Sequence, residues 1–242
     1  MEKRLSPNRC KHVCYGCLHR TIFKYFFFLI LSTLFLSCGI EEYIYLYPVN
    51  TPTNTEIDNN IQFTLPASQP SSVFTGYRIY YRIYLSENVT RTPTIETDWN
   101  LISTANSTPA TLSNLLENTL SYKQVSFYEK DTEIRAYPLT ADSTGWKYII
   151  DFNISVEPYY VALIRYNSYD DVNGNYFQLC RESDAQTKML FEYFDNLNGP
   201  DINSSSISYN TAYAQFIIVA TGFNSGTIIM SEATRLGVLA LP

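Results

Sequence analysis

Along residues 76–87 the side chains split with a period of two: Tyr77, Ile79, Tyr81, Ile83 and Leu85 on one side, Arg78, Tyr80, Arg82 and Tyr84 on the other. That period belongs to a β-strand. It recurs along the chain. Tyr43, Tyr45 and Tyr47 alternate with Ile44 and Leu46 up to Pro48, which predicts a first strand. Ile61, Phe63 and Leu65 alternate up to Pro66 and predict a second, with 76–87 as the third. Further strands are expected at 121–131, 133–139, 146–157, 159–168 and 175–182, with Asn173-Gly174 as the hairpin turn between the last two. Residues 212–222 are apolar on both faces, as in a central strand, and 227–241 supply the last strand or two. Short spacing between runs implies antiparallel connections.

Two stretches break the alternation. Trp99, Leu101 and Ile102 lead into a segment where Thr108 precedes Pro109 and where Leu112, Leu115 and Leu116 share one helical face. Residues 183–200 predict a second helix: Ser183 and Gln186 match a capping box, and Ala185, Met189 or Leu190, Tyr193 or Phe194 and Leu197 follow at helical spacing. Gly199-Pro200 closes it, and 202–210 read as a loop. The expected fold is mainly β, an antiparallel β-sandwich in which 88–206 is a candidate large insertion carrying one or two short helices. Residues 61–242 form the single β-rich domain, and 38–60 hold the first strand and a polar stretch.

Composition agrees with a folded, strand-rich chain, since only 17% of residues are charged and 15% are aromatic. Charge is uneven. The chain has 17 bases and 23 acids, and six bases and one acid lie before Ser37. The 11 bases and 22 acids that follow give 38–242 a net charge of −11. Such a field repels nucleic acid, so no nucleic-acid partner is expected.

The basic start has a reason. Arg20 and Lys24 precede a charge-free, mostly apolar run of about a dozen residues, too short for the ~20 residues of a spanning helix. Basic flank, short apolar core and small residues before a break make a secretory signal. The break reads Phe35-Leu36-Ser37-Cys38-Gly39. This resembles the lipobox of bacterial lipoproteins, in the looser form found in spirochaetes. The resemblance implies that residues 1–37 are a removed signal peptide and that Cys38 becomes the acylated first residue of the mature chain. It implies an envelope location, in the outer membrane and facing the periplasm or the surface. Two or three acyl chains would hold the protein firmly, since one alone is marginal.

Ahead of that signal lie Cys10, His12, Cys14, Cys17 and His19. The spacing suggests zinc, but no second pair follows at the right distance and the segment is discarded on cleavage, so no metal site is expected. Its two histidines are all the chain has. The mature portion therefore excludes Ser-His-Asp and Cys-His catalysis and histidine-ligated metals. Cys180 remains, expected as a small half-buried thiol. Carboxylate chemistry survives this filter, with Glu41-Glu42, Asp170-Asp171 and Asp195 near Glu192 as acid pairs. A glycosidase needs two such groups about 5–9 Å apart in a cleft. The Asp170–Asn175 loop, with its glycine at Gly174, departs from the EF-hand pattern.

The runs 76–84, 213–224 and 228–237 resemble the third, late and closing strands of fibronectin type III modules, a Tyr-rich strand followed by an Ala-x-Gly strand end and a Ser-Glu start. That resemblance implies an Ig-like sandwich, with a middle far longer than the family's. In it, Tyr77, Ile79, Tyr81, Ile83 and Leu85 enter the core, while Arg78, Tyr80, Arg82 and Tyr84 lie outward. Three accounts fit that outward face. Guanidinium groups stack on tyrosines in a cross-strand ladder; helices of the insertion cover it; or it is a candidate docking patch for a protein or glycan. The expectation is a lipid-anchored envelope protein, not an enzyme, that binds or scaffolds and needs no cofactor beyond its covalent lipid. The alternatives are a carboxylate-based glycan hydrolase and a solute-binding lipoprotein.

Overall fold

A computed structural model describes residues 25–27, 44–50, 57–58, 60–70, 72–86, 93–105, 109–129, 139–152, 162–166, 176–182, 188–191, 201–203 and 211–241. Met1–Tyr43 and Ile44–Pro242 are two compact units. Of the first, only Tyr25–Phe27 is described; it is helical and exposed. No described helix is long and apolar enough to cross a membrane.

The second unit is mainly β. Strand accounts for 48% of the described residues, arranged in largely antiparallel sheets with few helices. Its first sheet is built on β3 (Phe74–Ser86) and β11 (Thr211–Asn224), paired antiparallel from Thr211↔Ser86 to Gly222↔Phe74. β13 (Thr234–Ala240) pairs antiparallel with the other side of β11, as does β12 (Thr227–Met230) further along. Short strands border these: β1 (Ile57–Asp58) beside β13, and β4 (Lys123–Gln124) and β10 (Ile202–Asn203) beside β3. The second sheet runs β2 (Asn60–Thr64), β6 (Lys147–Asp151), β7 (Ala162–Tyr166), β8 (Tyr176–Glu182), β5 (Ser126–Glu129), with β9 (Lys188–Leu190) also on β8.

One apolar core is shared by both sheets. The first contributes Tyr77, Ile79, Tyr81, Ile83 and Leu85 from β3 and Phe216 and Ile218 from β11. The second contributes Ile61, Phe63, Tyr148, Ile150 and Leu179. Large meets small at three of the core-facing pairs across β3 and β11, where Tyr77, Ile83 and Leu85 lie opposite Ala220, Ala214 and Ala212; Ile79 and Tyr81 face Ile218 and Phe216. Gly76 makes a close approach possible. Its φ is 148°, and a Cβ there would collide with the Leu139 carbonyl oxygen, which accepts from the Tyr77 N–H at 2.8 Å.

The span 88–206 is no appendage to this core. Among the described residues it supplies β4 to β10, two α-helical segments, a 3-10 turn at Ala141–Ser143, and the buried residues Tyr148, Ile150, Leu179 and Phe191. Helix α1 is Pro93–Ala105, and α2 is Pro109–Asn114, continued as a π-turn over Leu115–Thr119. The π-turn closes with the Leu120 N–H on the Leu115 carbonyl at 2.8 Å.

Three expectations need correction. Residues 44–50 are extended but join no sheet; Leu46 and Val49 are buried, and the Gln69 side chain, rather than a neighbouring strand, bonds the Tyr47 N–H and C=O. Lys188–Leu190 is a strand, not helix, because it pairs with β8 through Cys180↔Leu190 and Glu182↔Lys188. Residues 202–203, read as loop, pair parallel with Ile83 and Tyr84. Residues 183–187 and 192–200, the 133–138 stretch and the Asn173-Gly174 turn lie outside the described residues.

Candidate functional site

The Arg/Tyr face of β3 lies on the side of the sheet away from the shared core, as its alternation requires. It is not free. Helix α1 and the α2–π-turn segment pack over it, leaving Tyr80 0% and Tyr84 1% exposed, with Arg78 and Arg82 half-buried. Of the three sequence accounts, cover by helices is the one the geometry displays. An outward patch open to a partner is not what Tyr80 and Tyr84 form.

The cover is built in two apolar clusters with a polar seam between them. One joins Tyr80, Ile217 and Val219 of the sheet to Ile102, Leu112, Leu116 and Tyr122, with Trp99 at its margin. The other joins Tyr84, Tyr213 and Val238 to Ile95. Ile95, Asp98 and Ile102 occupy one helical face of α1 at spacings of three and four, so Asp98 is carried down onto the sheet.

There Asp98 meets two partners from β3. Arg82 Nη1 donates to its Oδ2 at 2.8 Å and the Tyr84 hydroxyl to the same oxygen at 2.7 Å. The Tyr84 and Tyr122 hydroxyls lie 2.9 Å apart, and Tyr122 donates to Gln215 Oε1 at 2.7 Å. The Arg82 guanidinium also sits 5.4 Å from the ring centroid of Tyr84, two residues along the same strand, so this contact is not the cross-strand stacking expected. A second arginine holds the same helix from β13: Arg235 Nη2 and Nη1 donate to Glu96 Oε1 and Oε2 at 2.8 and 3.0 Å, and its guanidinium lies 5.8 Å from the Trp99 ring centroid. Tyr80 donates to Glu117 of the π-turn at 2.9 Å.

Burial, then the neighbouring Tyr122 and Asp98, push the Tyr84 phenol far up. Burial likewise raises Tyr122, and burial with Glu117 raises Tyr80 to about 12. These hydroxyls are therefore neutral hydrogen-bond donors at ordinary pH. Each has one proton to give. If Tyr84 gives its proton to Asp98 and Tyr122 to Gln215, none remains for the contact between them, while the buried Gln215 Nε2 and Arg82 Nε have no acceptor. Exchanging the two ends of the Gln215 amide gives a chain with one direction: Nε2 to Tyr122, Tyr122 to Tyr84, Tyr84 to Asp98.

A second buried carboxylate lies on the opposite face of β3. Asp201 accepts from Arg181 Nε and Nη2, each at 2.8 Å, and from the Tyr81 hydroxyl at 2.8 Å. Asp98 and Asp201 are thus each matched by an arginine and a tyrosine, and the sheet separates them. They do not form the facing pair that glycoside hydrolysis requires. The sequence pairs Glu41-Glu42, Asp170-Asp171 and Glu192/Asp195 lie outside the described residues, as do Cys38 and the Cys10–His19 cluster. Among the described residues no three of His, Cys, Asp and Glu are grouped to hold a metal ion. Cys180 is a fully buried cysteine, deeper than the half-burial expected.

Sequence reading missed Asp98, Gln215 and the Arg181–Asp201 pair. Asp98 carried a signal, since an acid set between Ile95 and Ile102 at helical spacing needs a buried partner. The chain matches no family model, no curated protein and no solved structure.

Proposed function

We propose that the protein is a lipid-anchored component of a bacterial cell envelope, whose β body binds or scaffolds a protein or glycan rather than catalysing a reaction. The observation that carries this is the order Leu36-Ser37-Cys38-Gly39 directly after a basic flank and a short apolar run. Cys38 is the lipid attachment point, and two or three acyl chains make the attachment stable. The two described buried carboxylates support the non-catalytic part, because each is neutralised within the fold by an arginine rather than presented to a substrate.

The test is metabolic labelling of the full chain expressed in a bacterium. The mature protein is expected to begin at Cys38, carry fatty acid and fractionate with membranes; Cys38→Ala should lose the label and leave the membrane fraction. Label retained by Cys38→Ala, or a purified chain with residues 1–37 intact and no fatty acid, overturns the assignment.

A further inference from the structure

Large apolar side chains left open to solvent gather at one end of β11. Phe223 is 55% exposed, Ile228 54%, Tyr45 51% and Tyr47 49%; in the rest of the described body only Leu101 is comparable. Phe223 and Ile228 are cross-strand partners in the β11–β12 hairpin and so share a face. Tyr45 and Tyr47 meet edge to face at 6.0 Å between centroids. They flank Leu46, whose Cδ1 packs at Gly222, the residue before Phe223. The hairpin is held in place: the Phe223 N–H donates to the Val73 carbonyl at 2.8 Å, and the turn runs through Ser225 and Gly226 at φ 49° and 87°. No charged residue occurs between Gly222 and Ser231. Glu232 lies close enough to Tyr45 to act on its phenol.

We propose that this end of the body rests on a lipid surface, with Tyr45, Tyr47, Phe223 and Ile228 in the interfacial layer. The inference rests on the acylation of Cys38. Five residues separate Cys38 from Ile44, and the six Cα–Cα steps between them span at most about 22 Å when extended. A lipid on Cys38 therefore keeps Ile44, where the segment bearing Tyr45 and Tyr47 begins, within about that distance of the membrane. Tyrosines suit the interface because the ring is apolar and the hydroxyl stays wet. Charge selects the same end. Residues 38–242 carry a net −11, which anionic headgroups repel, and the hairpin tip is a charge-free part of that surface.

The experiment uses the acylated protein on vesicles of phosphatidylethanolamine and phosphatidylglycerol with brominated acyl chains, which quench nearby tryptophan. Phe223→Trp is expected to float with the vesicles and to lose at least twofold more emission than the wild type, whose tryptophans are Trp99 and Trp146. Leu101→Trp should lose no more than the wild type. Flotation with an unquenched Phe223→Trp overturns the contact and leaves the anchor standing. A protein that neither floats nor carries fatty acid overturns the anchor and the contact with it. Shielding that grows with protein density on unbrominated vesicles makes a second copy the occupant and also overturns the proposal. The double variant Phe223→Ser/Ile228→Ser should still float through its lipid, yet lose the vesicle-induced amide protection of residues 222–230.

Discussion

Arg181 and Asp201 form a two-pronged ion pair inside the shared core, Nε to Oδ2 and Nη2 to Oδ1 at 2.8 Å each, with side chains 2% and 0% exposed. Arg181 belongs to β8 of one sheet. Asp201 precedes β10 of the other, and its carbonyl accepts from the Ile83 N–H of β3 at 3.0 Å. The pair therefore ties the sheets together. Burial alone would lower the Arg181 guanidinium, but bonding to Asp201 outweighs it and the net direction is up. Removing one partner strands a charge. Arg181→Met is expected to cost about 3–5 kcal/mol, and Arg181→Met/Asp201→Leu clearly less than Asp201→Leu and Arg181→Met added together. Urea unfolding of the three variants checks this; additive losses would show that the pair is not a unit.

The two arginines that hold α1 should behave differently. The Arg82–Asp98 side chains are 14% and 9% exposed, whereas Glu96, the partner of Arg235, is 46% exposed. Arg82→Ala leaves Asp98 buried with the uncharged Tyr84 hydroxyl bonded to it and its charge unbalanced, an expected loss of about 3 kcal/mol. Arg235→Ala loses a solvent-screened pair and a stacking contact, about 1 kcal/mol. Raising the salt concentration should shrink the second effect and leave the first nearly unchanged. Equal costs, or equal salt dependence, would contradict the geometry.

Tyr122 and Gln215 end the polar chain under the helices. Either Tyr122→Phe or Gln215→Met leaves a buried polar atom without its partner, at about 1–3 kcal/mol. The double variant removes both and should recover part of that loss. Thermal unfolding of the two single variants and the double variant measures the coupling, and a double variant as unstable as the sum would remove the chain from any structural role.

Alkaline pH should unfold the protein cooperatively. An unfolded tyrosine releases its proton near pH 10, while Tyr77 and Tyr80 are raised to about 12 and Tyr84 and Tyr122 further. Between those values the native chain holds protons that the unfolded chain has released, so these groups contribute fully below pH ~10 and lose their contribution as pH rises toward and through 12. For each fully buried phenol the slope is about 1.4 kcal/mol per pH unit. Tyrosinate absorbance should therefore rise in step with loss of circular dichroism. Smooth titration of these tyrosines near pH 10 with the fold intact would contradict their burial.

The strand alternation was legible where one side of a strand meets the core: Tyr77, Ile79, Tyr81, Ile83 and Leu85 are all buried. So was β11, apolar on both sides because the shared core covers one and the helices the other. Alternation at Tyr43–Tyr47 misled for a physical reason. It reports an extended backbone with two unlike sides, and at 44–50 a single glutamine side chain replaces the neighbour. The apolar spacing around Met189 fits a helix locally, yet β8 offers a ladder and tertiary pairing overrides propensity. Most of α1 was hidden because Asp98 interrupts its apolar stripe, and the arginine that explains Asp98 lies sixteen residues earlier in the chain.

The borders of the first sheet carry a consequence for crowding. β1, β4 and β10, the strands that flank β13 and β3, are each two residues long. A rim of long open backbone would invite one molecule to graft a strand onto the next. Flanking strands this short offer a second copy little to grip.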